Sequence, residues 1–114
     1  MDLPTLLFSF AGRINRQPYW LYGIGIGLTT GVIFGIAQFI LPDILVTVGA
    51  IGVTVACVWI GLALSVKRAH DRGRSGLFIL LFLVPLLNLW PIVELYFLRG
   101  TVGQNAYGGD PLAG

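Results

Sequence analysis

The sequence predicts an all-α integral membrane protein, a small bundle of three transmembrane helices. Three observations lead there. Of the 114 residues, 56% are hydrophobic and 11% charged, against roughly 25% charged in a soluble domain. Three stretches of membrane-crossing length, 19–41, 44–66 and 77–98, are almost free of charge. The seven basic residues sit beside and between these stretches. Seven basic and five acidic side chains cannot cover a soluble globule of this size. Composition therefore excludes a soluble domain and a disordered chain. The net charge of +2 is too clustered for a nucleic-acid surface, so no nucleic-acid partner is expected.

At the N-terminus, the apolar run 3–10 lacks a basic flank and is interrupted by Pro4 and Thr5. It does not read as a cleaved signal peptide. The first span opens with Pro18, which a helix accepts in its first turn, and with an interfacial belt of Tyr19, Trp20 and Tyr22. It holds 23 uncharged residues, as does the second span; the third has 22 with Glu94 alone charged. At about 1.5 Å per residue each can cross a hydrocarbon core about 30 Å thick. Lipid leaves helices as the form that satisfies every backbone group. Pro42 and Asp43 separate the first two spans, which sets a tight antiparallel hairpin. Gly73 can close the second helix and Ser75 cap the third. Within the third, Pro85 and Pro91 each remove a helix hydrogen bond, with Asn88 and Trp90 between them. A kinked span is the first reading, because bilayer helices tolerate proline. A re-entrant segment, dipping in and returning, is the alternative.

Basic residues set the orientation. Arg13 and Arg16 precede the first span. Lys67, Arg68, Arg72 and Arg74 separate the second from the third, and the first connection has no basic residue. The positive-inside rule places the N-terminus in the cytoplasm of a multi-pass protein of the bacterial inner membrane. Three complete spans would put the glycine-rich tail, 99–114, on the far side; a re-entrant third segment would return it. The chain reads as a single membrane domain, 1–114.

Gly23, Gly27, Gly31 and Gly35 form a four-residue repeat on the first span, with Gly25 and Thr30 nearby. The second span carries a weaker row of Gly49, Cys57, Gly61 and Ser65, interrupted by Val53. Small residues let helices approach closely in lipid. The expectation is packing of the first span on the second through Gly23, Gly27, Gly31, Gly35 and Gly61. A homo-oligomer through the same face, or a channel lining, is the alternative. Cys57 has no partner for an intrachain disulfide, and no metal-ligand spacing exists, so neither metal nor cofactor is expected. Glu94 is an ionisable residue in a span, but it lies four residues from Leu98 and can reach the interface or an arginine. One carboxylate makes a poor ion relay.

Three polar patches remain, at 10–20, 67–76 and 100–111. The first contains Gly12-Arg13, then Arg16, then Tyr19-Trp20. The second contains Arg68-Ala69-His70-Asp71-Arg72-Gly73-Arg74-Ser75-Gly76. The third contains Gly100-Thr101-Val102-Gly103-Gln104-Asn105-Ala106-Tyr107-Gly108-Gly109-Asp110-Pro111. In order and spacing these motifs resemble a family of small bacterial inner-membrane proteins known as domain of unknown function 805, the YhaH type. The resemblance covers nearly the whole chain. Ala106, where many members carry a basic residue, and Leu77-Phe78, where tryptophans are common, depart from it. It implies a membrane location and no established activity.

Arg68 and Arg72 are spaced i,i+4, Asp71 stands three from Arg68, and Arg13 and Arg16 share a face if their segment is helical. Arg13, Arg16, Arg68, His70, Asp71, Arg72, Arg74 and Ser75 thus form a candidate site at the cytoplasmic interface. Its clustered charge suits an anionic phospholipid headgroup or another interaction partner; the competing reading is that these residues only set topology. His70 and Asp71 point about 100° apart on a helix, which disfavours an acid–base pair, and no catalytic residue is assigned. Asn105, Tyr107 and Asp110 are candidates for docking a cytoplasmic tail on the arginines. The expected role is a structural or interaction protein of the inner membrane. The alternatives are a subunit of a small oligomeric transporter or channel and, third, a lipid-headgroup enzyme.

Overall fold

A computed structural model describes residues 2–112; the last two residues of the expected tail, 113 and 114, lie outside them. The described residues are helical with no strand. They form α1 (Leu3–Phe8), α2 (Arg16–Ile40), α3 (Asp43–Asp71), a 3-10 helix (Gly76–Leu83) and α4 (Leu89–Phe97), followed by an irregular tail.

α2 and α3 are long and apolar enough to cross a membrane. Their 25 and 29 residues correspond to about 37 and 43 Å of helix. Leu41 and Pro42 alone connect them. The Leu41 amide still bonds the Ala37 carbonyl, at 2.9 Å. Pro42 then sits at the N-cap of α3, where its missing N–H costs nothing. The two helices meet along a seam that recurs every three to four residues: Tyr22, Ile26, Thr30 and Phe34 on α2, Ala50, Val53, Cys57 and Ile60 on α3, all half-buried. The Thr30 hydroxyl donates to the Ile26 carbonyl of its own helix, at 2.9 Å, so it needs no partner across the seam. Large apolar side chains face outward around the hairpin, among them Leu28, Ile33, Phe39, Ile51 and Val55.

The glycine row flanks the seam rather than filling it; Gly27 and Gly31 line a groove with Val53, Thr54 and Val58 of α3. Gly23, Gly27, Gly31 and Gly35 each lie one residue beyond the seam positions, about 100° around the helix. A Cβ built at any of them, or at Gly61, meets nothing within 4 Å. Tyr22, Ile26 and Phe34 fill the seam instead. On α3, Gly49 does receive a neighbour, the Phe34 ring, 3.6 Å from its Cβ position.

α3 continues past the apolar run, so Lys67, Arg68 and Asp71 lie on helix rather than in a loop. It ends at Gly73, whose φ of +77° is the left-handed geometry of a helix C-terminus and favours glycine. Ser75 occupies the N-cap position of the 3-10 helix, but its side chain makes no capping bond.

The third expected span, 77–98, is not one helix. The 3-10 helix and α4 have eight and nine residues, about 16 and 13 Å, and neither alone crosses a bilayer. Between them Pro85 cannot continue the hydrogen-bond ladder, and Leu86 adopts φ +69°, in the left-handed region. The chain reverses there. The 3-10 helix packs on α3, and α4 packs back on the 3-10 helix and α2. Pro91 kinks nothing, because it falls in the first turn of α4. Leu6, Ile14, Tyr19, Leu64, Ala69 and Leu95 form the buried cluster where α1, α2, α3 and α4 converge.

Because the glycine row faces open space, Gly27→Ala and Gly31→Ala should leave the thermal stability of the detergent-solubilised monomer within about 1 kcal/mol of wild type. A larger loss would mean that this face is packed within the monomer.

Candidate functional site

The last turn and a half of α3 brings three charged side chains into the protein interior. Lys67 and Arg68 are fully buried and Asp71 is 2% exposed. Buried charge is tolerable only when its hydrogen-bonding capacity is filled. Lys67 fills it with backbone carbonyls of another segment, Arg68 with two such carbonyls and Asp71, and Asp71 with two guanidinium groups.

Lys67 serves α1. Its ammonium donates to the carbonyls of Thr5, at 2.7 Å, Ser9, at 2.8 Å, and Leu6. A three-donor ammonium is thereby used completely. The Trp59 indole adds a bond to the Phe8 carbonyl, at 3.0 Å. These carbonyls lie at the C-terminus of a short helix, where Thr5 also accepts a backbone amide, that of Ser9, and a cation there complements the negative end of the helix dipole.

Arg68 serves α4 in the same way. Its Nε donates to the Leu95 carbonyl at 2.8 Å, and an Nη donates to the Leu98 carbonyl. The two carbonyls between are taken from α2. The Trp20 indole donates to Tyr96, and Arg16 to Phe97, both at 2.7 Å. Four consecutive carbonyls at the end of α4 thus each receive a side-chain donor from a long helix.

Asp71 joins Arg68 to the N-terminal segment. One carboxylate oxygen accepts from Arg68 at 2.8 Å, the other from Arg13 Nε at 3.1 Å. Arg13 precedes α2 and is not helical, so it does not share a face with Arg16; it turns inward while Arg16 turns outward. Its other N–H groups hold the tail, donating to the carbonyls of Thr101 (2.6 Å), Gly103 (2.7 Å) and Gly108 (3.0 Å). The remaining Nη2 donor faces Asp71, 3.0 Å from its Oδ1, so all five guanidinium donors have acceptors. The tail returns a bond from the Thr101 amide to the Asp71 carbonyl, at 2.6 Å. Gly100 makes this approach possible, since a Cβ there would overlap the Asp71 carboxylate and its backbone carbonyl.

His70 and Asp71 diverge, as neighbours on a helix must. The His70 Nδ1 lies 2.9 Å from the Gly12 carbonyl, and its ring stacks on Tyr107, 4.0 Å between centroids and 1° from parallel. Asn105 donates to the His70 carbonyl at 2.8 Å. Asp110 accepts from the Gly103 amide at 3.0 Å and the Leu112 amide at 2.9 Å, with Arg99 3.6 Å away. Those bonds and that cation hold its carboxyl below the usual aspartate range.

Arg72 and Arg74 share Glu94, at 3.2 and 2.9 Å, and the Trp90 indole donates to the same carboxylate at 2.7 Å. Arg74 also lies 5.0 Å over the Phe78 ring. Ser75 is exposed and joins none of these bonds. Among the described residues, no buried side-chain nitrogen or oxygen lacks a partner, and no group of three His, Cys, Asp or Glu residues could hold a metal.

The candidate residues Arg13, Arg68, His70 and Asp71 therefore meet Asn105, Tyr107 and Asp110 in one assembly, while Arg72 and Arg74 form a second cluster around Glu94. Lys67, Trp59 and Gly100 were not among the candidates. Lys67 follows an apolar run and stands four residues before Asp71, a spacing that suggests an ion pair along the helix and does not point to α1. Gly100 carried no local signal, because its role depends on a contact 29 positions away.

These features define a small helical membrane protein whose short helices and tail are fastened to the polar end of one long helix. The chain belongs to the family described as Protein of unknown function (DUF805), which matches residues 7–109. Among its relatives, Inner membrane protein YhaI of Escherichia coli (strain K12) is 34% identical over 93% of this chain and 88% of its own length. Inner membrane protein YhaH of the same strain is 31% identical over 90% and 87%. Uncharacterized protein YiiR is 33% identical over 96% and 90%. No solved structure matches.

Two predictions follow from the tail contacts. Gly100→Ala should cost about 1–3 kcal/mol by overlap and expose the tail to protease, whereas Gly109→Ala, with open space around it, should not. Acidification gives the second. A carboxyl whose folded pKa is depressed contributes stability above its unfolded pKa and loses it as pH falls through the folded value. Tail protection from protease should thus persist from neutrality to about pH 5 and fall away below about pH 4. Protection that vanishes nearer neutrality would assign control to another group.

Proposed function

We propose that this chain is a bilayer-embedded structural or interaction protein of the bacterial inner membrane, acting as one membrane unit, with its basic face toward the cytoplasm. In this reading α2 and α3 cross the bilayer. The 3-10 helix and α4 enter it from the cytoplasmic side and return to that side. The observation that carries the reading is the distribution of charge. All seven basic side chains belong to the end of the hairpin where α2 starts and α3 finishes, tied there by the Arg68, Arg72 and Arg99 contacts. Four of the five acidic residues accompany them, and Asp43 alone stands at the opposite tip. The polar end therefore keeps net positive charge after its internal ion pairs are counted. Such a face attracts the anionic lipids of a cytoplasmic leaflet and offers the same attraction to an acidic partner protein. The names of YhaI and YhaH support the inner-membrane setting.

Reporter fusions test the topology. Fusions at both ends of the chain should report the cytoplasm, and a fusion between Leu41 and Asp43 the periplasm. A periplasmic C-terminal reporter would overturn the re-entrant reading and restore three spans. Reconstituted protein should also enrich phosphatidylglycerol over phosphatidylcholine in its annulus, and the enrichment should weaken with salt.

A further inference from the structure

The arginines are not equivalent. Arg13 and Arg68 pair with Asp71, Arg72 and Arg74 with Glu94, and Arg99 with Asp110. Among the described residues Arg16 is the one arginine without a carboxylate. It makes a single hydrogen bond, through Nη1 to the Phe97 carbonyl, which fixes the guanidinium and leaves its other donors available.

Arg16 stands at the mouth of a groove of about 820 Å³ between the start of α2 and the end of α4. The groove is divided along its length. Asn15, Arg16 and Gln17 line its polar end; Leu21 and Ile24 continue it along α2. Eight residues separate Arg16 from Ile24, about 12 Å of helix, running from the interface into the apolar part of α2. The wall is held in place. The Trp20 indole bonds the Tyr96 carbonyl at 2.7 Å, and its ring meets Tyr96 and Phe97 edge-on at 5.0 and 5.7 Å. Asn15 makes no side-chain cap, so it does not occupy the first-turn amides of α2.

We propose that this groove binds one anionic phospholipid, with its phosphate on Arg16 and an acyl chain along Leu21 and Ile24. Charge complementarity selects the occupant. A cation without a carboxylate at the mouth favours an anion, and the apolar length beyond favours a chain. A free anion would leave Trp20, Leu21 and Ile24 unused, and a neutral chain would leave Arg16 unpaired. The inference deepens the reading of a basic cytoplasmic face by naming the position at which one lipid is retained.

Native mass spectrometry of the full chain, released from nanodiscs of mixed phosphatidylglycerol and phosphatidylcholine, tests it. Wild type should retain one phosphatidylglycerol. Arg16→Gln should lower that occupancy about tenfold, the scale of one lost charge-assisted contact. Ile24→Trp fills the groove without altering charge and should lower retention similarly, which separates occupancy from folding. Arg74→Gln, which removes the same charge from the same face, should leave retention unchanged. If neither Arg16→Gln nor Ile24→Trp lowers retention, the groove assignment fails. If Arg74→Gln acts as strongly as Arg16→Gln, the diffuse basic face stands and the groove assignment fails. If wild type prefers phosphatidylcholine or retains no lipid, the groove assignment fails; loss of the annular preference for phosphatidylglycerol would in addition remove the broader reading.

Discussion

Burial of Lys67, Arg68 and Asp71 on the last turns of α3 is the constraint from which the polar half of this protein follows. A buried ion that loses its partners costs about 3–5 kcal/mol, so each must find acceptors or donors wherever it lies. Lys67 finds them at the end of α1, Arg68 at the end of α4, and the Asp71 carboxylate at the guanidinium groups of Arg13 and Arg68. Conversely, helices of six and nine residues are too short to be stable alone. Their unpaired terminal carbonyls must be satisfied by something. The two deficits cancel. Cations that cannot stay in lipid meet carbonyls that cannot stay unpaired, and the match fixes where the short helices and the tail sit.

This explains how the two halves of the molecule differ. Toward the Pro42 tip, α2 and α3 present apolar side chains outward and share one narrow seam. Toward the other end, all segments converge and the buried cluster forms. Outward-facing apolar side chains mark the first half, and hydrogen bonds to charge organise the second. The glycine row beside the seam belongs to the first half, where the bulky seam residues already set the separation between α2 and α3.

Much of this was legible in the sequence. The two long helices followed from charge-free length, the hairpin from Pro42, and the end of α3 from Gly73. The polar motifs pointed to Arg13, Arg68, His70 and Asp71 because polar residues beside a bilayer span need a reason to be there. Other features were not legible, for physical reasons. Leu77 to Leu98 has the composition of a span, and hydropathy does not register a reversal at Leu86; Pro85 and Pro91 signalled interruption without saying whether the chain continues or turns back. The glycine repeat has the spacing of a packing face, but which face of a helix is used depends on the neighbour's side chains. Lys67 and Gly100 act through contacts distant in sequence, to α1 and Asp71, which no local pattern encodes.

The central claim is that Asp71 couples the N-terminal segment, the end of α3 and the tail into one unit. Hydrogen–deuterium exchange on wild type and Asp71→Asn tests it most directly. In wild type the amides of 100–108 should be protected. In Asp71→Asn they should lose protection together with the segment around Arg13, while the α2–α3 seam keeps its own. A wild-type tail that exchanges freely, or a tail still protected in Asp71→Asn, would contradict the account.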